Sequence, residues 1–189
     1  MKFRTVLLAL ISGLIFSCKN ANNPTNPVPT DQVNDSTQIK LFLNEKPKSF
    51  KAKTIKGNEF NSKNNAGNYW VIFIYDKGYL KPSESYDMAS ELNYTYKKFK
   101  GKISFIGIIE GLIESENELD ALLHQSDIQF NQIDNTRSWS FEKEEQLNYN
   151  MYCSPAKIII DPEGKVIFSM CGGHTETINY KLDSIVQKL

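Results

Sequence analysis

Tyr152 to Phe168 reads YCSPAKIIIDPEGKVIF, and the fold turns on how this stretch is read. Ser154-Pro155 leads into Ala156-Lys157-Ile158-Ile159-Ile160, a short apolar run rich in β-branched residues that reads as a buried strand. Asp161-Pro162-Glu163-Gly164 supplies a tight turn, because proline presets φ and glycine accepts a positive φ without steric cost. Lys165 to Cys171 then returns as the second strand of a hairpin. With Asp161 and Lys165 flanking the turn, Pro155 faces Cys171, and Cys153 lies two positions further out on the same face.

Upstream, the chain alternates strand and helix. Lys48 to Asn61, KSFKAKTIKGNEFN, reads as a hairpin turning at Lys56-Gly57-Asn58, with Phe50, Ala52 and Thr54 on one face. Tyr69 to Tyr75, YWVIFIY, is apolar without alternation, as in a strand buried on both faces. Pro82-Ser83-Glu84 has a hydroxyl and an acidic first turn and reads as a helix start. That helix turns Met88, Leu92, Tyr96 and Phe99 inward and stops near Gly101. Lys102 to Ile109 is the second central strand. Ser115 to Gln125 is a helix with a Leu119, Leu122, Leu123 stripe and an exposed His124. Asp127 to Asp134 holds a short strand around Ile128 and Phe130, and Asp134 to Arg137 reads as a loop. Ser140 to Asn148 reads as a turn or two of helix, and Thr175 to Leu189 as a terminal helix with Ile178, Leu182, Ile185 and Val186 inward. The order implies an α/β domain: a central mixed β-sheet with helices on both faces and an N-terminal hairpin.

The first 17 residues stand apart. Lys2 and Arg4 precede a 13-residue run, TVLLALISGLIFS, too short for a membrane span and shaped like a secretory signal. Ile15-Phe16-Ser17-Cys18 resembles the lipobox of bacterial lipoproteins. The resemblance implies cleavage before Cys18, acylation of its thiol and amino group with palmitate-type chains, and a membrane anchor in place of a span. Residues 18–38, rich in Asn, Pro and Thr, cannot bury enough apolar surface to order themselves and read as a disordered tether. Such a tether reaches roughly 25 Å. Residues 39–189 are the domain. Removing Lys2 and Arg4 from 22 basic residues leaves 20 against 22 acidic ones, a net charge of −2. Nothing in that balance calls for nucleic acid, and no cofactor is implied. Export implies an oxidising envelope compartment. Lys19-Asn20 after Cys18, with no aspartate, resembles outer-membrane sorting, with the domain facing the periplasm.

PKSFKAKTIKGNEFN followed by GNYWVIFIY resembles the opening of thioredoxin-like disulfide reductases of the bacterial envelope (the TlpA type) and of peroxiredoxins. SPAKIIIDPEGKVIF resembles their proline loop and final hairpin. The resemblance spans about Pro47 to Leu189 and implies a thioredoxin-like fold with a cis Ser154-Pro155 bond. It further implies a partner chain held beside Tyr79, Ser154, Pro155 and Gly172. In that family a Cys-x-x-Cys sits where the first long strand runs into a helix N-terminus, whose free N–H groups lower a thiol pKa. The corresponding residues here are Tyr79, Leu80, Lys81 and Pro82, with no thiol, and no Thr-x-x-Cys stands there either. The expectation is therefore a non-catalytic or divergent member that binds an envelope peptide or protein.

Once Cys18 is acylated, Cys153 and Cys171 are the remaining cysteines. Diagonal neighbours on a hairpin have Cβ atoms roughly 7 Å apart, and a disulfide needs about 3.8 Å. A regular strand leaves them apart, and a cis bend before Pro155 brings them together. Three states stay open: a structural disulfide, two unpaired thiols, or a redox-active pair that would make the protein a thiol-disulfide oxidoreductase. Met151, Cys153, Met170, Cys171 and His174 gather near one end of the hairpin, and such ligands suit Cu(I). A copper chaperone ligated by Cys153, Cys171 and His174 is the remaining alternative, although alternation sends Met170 to the face opposite Cys171.

Overall fold

The run after Tyr69 has no polar face because both of its faces are covered. Val71, Ile72, Phe73, Ile74 and Tyr75 are each at most 1 % exposed. Alternate side chains feed two apolar clusters, Val71, Phe73 and Tyr75 on one side and Trp70, Ile72 and Ile74 on the other. Truncating one such side chain costs about 2–5 kcal/mol, against a total of about 5–15 kcal/mol for a typical domain.

This strand is central in the computed structural model, which describes residues 38–141 and 146–189. The strands are β1 (Ile39–Lys40), β2 (Lys51–Lys53), β3 (Glu59–Asn61), β4 (Trp70–Asp76), β5 (Ser104–Glu110), β6 (Leu112–Ile113), β7 (Asn131–Asp134), β8 (Arg137–Ser138), β9 (Tyr149–Asn150), β10 (Ala156–Ile160) and β11 (Val166–Cys171). The helices are α1 (Met88–Phe99), α2 (Glu116–Ser126) and α3 (Glu176–Val186). A mixed five-stranded sheet has the order β11-β10-β4-β5-β7. Within it β4, β5 and β7 run parallel, and β10 is antiparallel to both β4 and β11. The expected hairpin is β2 with β3, turning at Gly57 with φ +83°.

The crossovers β4–α1–β5 and β5–α2–β7 step across the sheet in the same direction. Right-handed crossovers then place both helices on one face. Leu92 of α1, Leu119 of α2 and Leu182 of α3 accordingly share one cluster with Val71 and Phe73. The expectation of helices on both faces is corrected: among the described residues all three helices pack on one side. The other side is covered by Ile39, Leu41, Phe50, Ala52, Phe60, Leu147, Tyr149 and Met151.

Several boundaries also differ from the sequence reading. Helix α1 starts at Met88, capped by Asp87, whose carboxylate accepts from Ser90 N at 3.0 Å. Ser83 instead closes a turn on Tyr86, its hydroxyl donating to the Tyr86 carbonyl and accepting from the Tyr86 N–H. Helix α2 ends on Asp127 in the left-handed conformation at φ +48°, so Ile128 and Phe130 precede β7 and do not lie within it. Arg137, read as loop, opens β8, which pairs with β6. In the stretch expected as a helix over Ser140 to Asn148, residues 140–141 and 146–148 are not helical, and residues 142–145 lie outside the described residues. So do the signal segment, Cys18 and residues 18–37 of the tether.

The closing hairpin carries a bulge between Ile159 and Ile160. Ile160 pairs with Val166, but Ile159 pairs with Phe168, so every residue further out shifts by one. Cys171 therefore faces Ala156 and not Pro155.

Candidate functional site

The C-terminal ends of β4, β5 and β7 lie at one edge of the sheet, with the start of β10 and the end of β11 beside them. Ligands of open α/β sheets bind at this edge. It gathers the proline loop, both domain cysteines, Tyr79 and the N-terminus of α1.

Cys153 and Cys171 are bonded, with Cα atoms 5.7 Å apart. Of the three states left open, the structure holds the bonded pair in place of two unpaired thiols, a bond that a structural disulfide and an oxidised redox pair share. Ser154-Pro155 between Cys153 and β10 is cis, as the resemblance implies. Ser154 is exposed and Pro155 buried. The Gly172 N–H donates to the Pro155 carbonyl at 2.9 Å, which ties the end of β11 to the loop. Gly172 has φ +94°, a conformation that favours glycine.

Beyond β4 the chain makes a short 3-10 turn, Lys77–Leu80, started by the Asp76 carboxylate accepting from Gly78 N at 2.8 Å. Leu80 is buried beneath it and Tyr79 stands out, 39 % exposed. A hollow of about 360 Å³ opens here, lined by Asp76, Gly78, Tyr79, Lys81, Ser83, Tyr86 and Met88. Tyr86 connects it to the closing hairpin. A Cβ on Gly173 would lie 2.3 Å from the Tyr86 hydroxyl, so only glycine lets the ring sit this close. The His174 ring meets Tyr86 edge-on at 4.8 Å. The Tyr86 hydroxyl is buried without a hydrogen-bond partner among the described residues, and burial followed by the Glu91 charge pushes its pKa up to about 12.

A polar cluster underlies this junction. Glu91, in the first turn of α1, accepts from Thr175 N at 2.7 Å and Thr175 Oγ1 at 3.1 Å and pairs with His174 Nδ1 at 2.9 Å. Burial pushes the Glu91 carboxyl up, but the bonds from His174 and Thr175 outweigh it and hold the group below its ordinary value. Lys157 of β10 lies on the helix-covered face with Ile159 and is 1 % exposed. Its ammonium donates to the Gly172 carbonyl. Burial pulls its pKa down to about 8, against the opposing pull of the Glu91 carboxylate.

The structure thus brings together Ser154, Pro155, Gly172, Cys153 and Cys171, while Tyr79 lines the hollow that Tyr86 joins to Gly173 and His174. The residues at Tyr79 to Pro82 offer no thiol. Neither cysteine precedes a helix as a nucleophile would, and bonded sulfurs are not thiolate ligands for copper. His174 is engaged by Glu91, and Met170 faces Lys157 while Cys171 faces Ala156. Among the described residues no group of three His, Cys, Asp or Glu side chains is placed to hold a metal ion. Sequence reasoning passed over Lys157, Tyr86 and Glu91. A lysine inside the apolar run AKIII was the available signal for the first.

No protein-family model matches the chain, and no curated protein matches its sequence. Solved structures do resemble it. The thioredoxin domain of a thiol-disulfide oxidoreductase from Bacteroides vulgatus superposes with a TM-score of 0.56 at 17 % identity, covering 77 % of this chain and 99 % of that one. A thiol-disulfide oxidoreductase from Bacteroides fragilis gives 0.55 at 17 % identity over 75 % and 99 %. A thiol:disulfide interchange protein from a Bacteroides species gives 0.54 at 17 % over 78 % and 91 %. At these identities the likeness speaks for the fold. The chain has a thioredoxin-like fold, in which Tyr79-Leu80-Lys81-Pro82 follows the first central strand and the domain's cysteines are joined across the closing hairpin.

Proposed function

We propose that this chain is an exported, lipid-anchored envelope protein whose thioredoxin-like domain holds an extended peptide or protein segment without exchanging disulfides at Tyr79 to Pro82. The observation that carries the reading is an exposed Ser154 on the proline loop, linked through Gly173 and Tyr86 to a hollow whose lining contains no thiol. Backbone on the rim of a proline loop offers hydrogen bonds to an extended chain, and the aromatic rings of Tyr79 and Tyr86 offer apolar surface to its side chains. Acylation at Cys18 and the following tether would place the domain at the outer membrane, facing the periplasm. Among the described residues no helix is long and apolar enough to cross a membrane.

A photocrosslinking residue at Ser154 tests the binding reading. Discrete adducts that disappear in Tyr79→Ala/Tyr86→Ala, and are absent when the crosslinker is moved to Glu163, are expected. Insulin reduction above the rate of a Cys153→Ser/Cys171→Ser control would replace it with an enzymatic one. Incorporation of a palmitate analogue, abolished by Cys18→Ala, tests the anchor.

A further inference from the structure

We propose that the Cys153–Cys171 disulfide is a reducible clasp on this groove, opened by a dithiol that attacks at Cys171. The inference rests on the reading of the groove as a binding site.

The direction of attack follows from access. Cys171 is exposed at the end of β11, whereas Cys153, next to Ser154-Pro155, is half-buried. Thiol exchange needs a thiolate to reach one sulfur in line with the bond. An incoming thiolate bonds to Cys171 Sγ and expels Cys153 as a thiolate, which takes a proton from water. The second thiol of the dithiol then displaces Cys171, which is protonated in turn. Two electrons pass to the protein, and the dithiol departs as a disulfide.

The consequence follows from what the two cysteines flank. Cys153 adjoins Ser154-Pro155 and Cys171 adjoins Gly172, so the bond closes the ends of the proline loop and β11 on each other. Gly172 is then held by the Pro155 carbonyl and by the Lys157 ammonium, and the next residue, Gly173, abuts the Tyr86 ring that lines the hollow. Opening the bond releases the segment against which Tyr86 rests. Strand β4, hydrogen-bonded on both edges within the sheet, stays in place.

The test uses the full acylated chain in detergent. Hydrogen exchange is read by mass spectrometry with and without dithiothreitol under native conditions. Amides of Gly172 to Thr175 and of Tyr86 to Met88 should exchange at least about tenfold faster after reduction, at labelling times short enough that β4 and β5 stay protected with and without dithiothreitol. The Cys153→Ser/Cys171→Ser chain should show the reduced pattern with or without dithiothreitol. A brief pulse of glutathione quenched with an alkylating agent should leave glutathione on Cys171 and the alkyl group on Cys153. Unchanged exchange at Tyr86 overturns the clasp while leaving the Ser154 crosslinks, and so the groove, untouched. Loss of protection in β4 at those same short labelling times makes the bond a general staple and also overturns it. Glutathione found on Cys153 overturns the stated point of attack.

Discussion

The closing hairpin and the connection after β4 end at the same edge of the sheet, yet they are held in different ways. The hairpin side is fixed by a disulfide, by the Gly172–Pro155 hydrogen bond and by a buried ammonium. The β4 side is a 3-10 turn with Leu80 beneath it and Tyr79, Lys81, Pro82 and Ser83 exposed. A catalytic thioredoxin-like site needs its reactive group on the second of these. Here the order is concentrated on the first, and the second carries no thiol between Tyr79 and Pro82.

The largest expected effect breaks the hairpin side. Joining residues 18 apart in sequence stabilises a chain by about 3 kcal/mol through the unfolded state. Cys153→Ser/Cys171→Ser should lose an amount of that order in denaturant unfolding, and dithiothreitol should produce the same loss in the wild type and none in the variant. Next comes Lys157. Its folded pKa is about 8 against an ordinary 10.5, so between those pH values the unfolded chain binds more protons. Stability should therefore rise with pH across that window, by on the order of 2–3 kcal/mol. Lys157→Met should remove this rise, which unfolding curves at pH 7, 9 and 10.5 would display as a difference between the two proteins.

Two tyrosines sharpen the comparison further. Tyr75 donates to Gln132 Oε1 at 2.6 Å inside the core, so Tyr75→Phe strands a buried acceptor and should cost about 1–2 kcal/mol. The Tyr86 hydroxyl has no partner among the described residues, so Tyr86→Phe should be neutral or stabilise by up to about 1 kcal/mol. Smallest of all, Tyr79→Ala and Lys81→Ala, on the exposed turn after β4, should change stability by less than about 0.5 kcal/mol. A larger loss there would mean that this turn is structurally committed.

Local pattern carried much of this in advance. The unalternating run at Trp70 to Tyr75, the Gly57 and Gly164 turns, and the inward stripes of α1 and α3 each follow from side chains within a few residues of one another. Misplaced features had competing local signals. Ser83 and Asp87 could both cap a helix, and the decision depends on Met88 and Ala89 reaching the core. The register at Cys171 depends on a one-residue bulge that no neighbouring residue announces.

The sequence by itself determined the succession of the long central strands, the closing hairpin and the three described helices, the proline loop and the lack of a thiol at Tyr79 to Pro82, because periodicity, turn chemistry and residue identity are local properties. Tertiary structure alone decided that Cys153 meets Cys171, that Lys157 is sealed behind Gly172, and that the three described helices share one face. Each of these depends on how strands distant along the chain align, and the hydrophobic burial that aligns them acts on the assembled sheet as a whole.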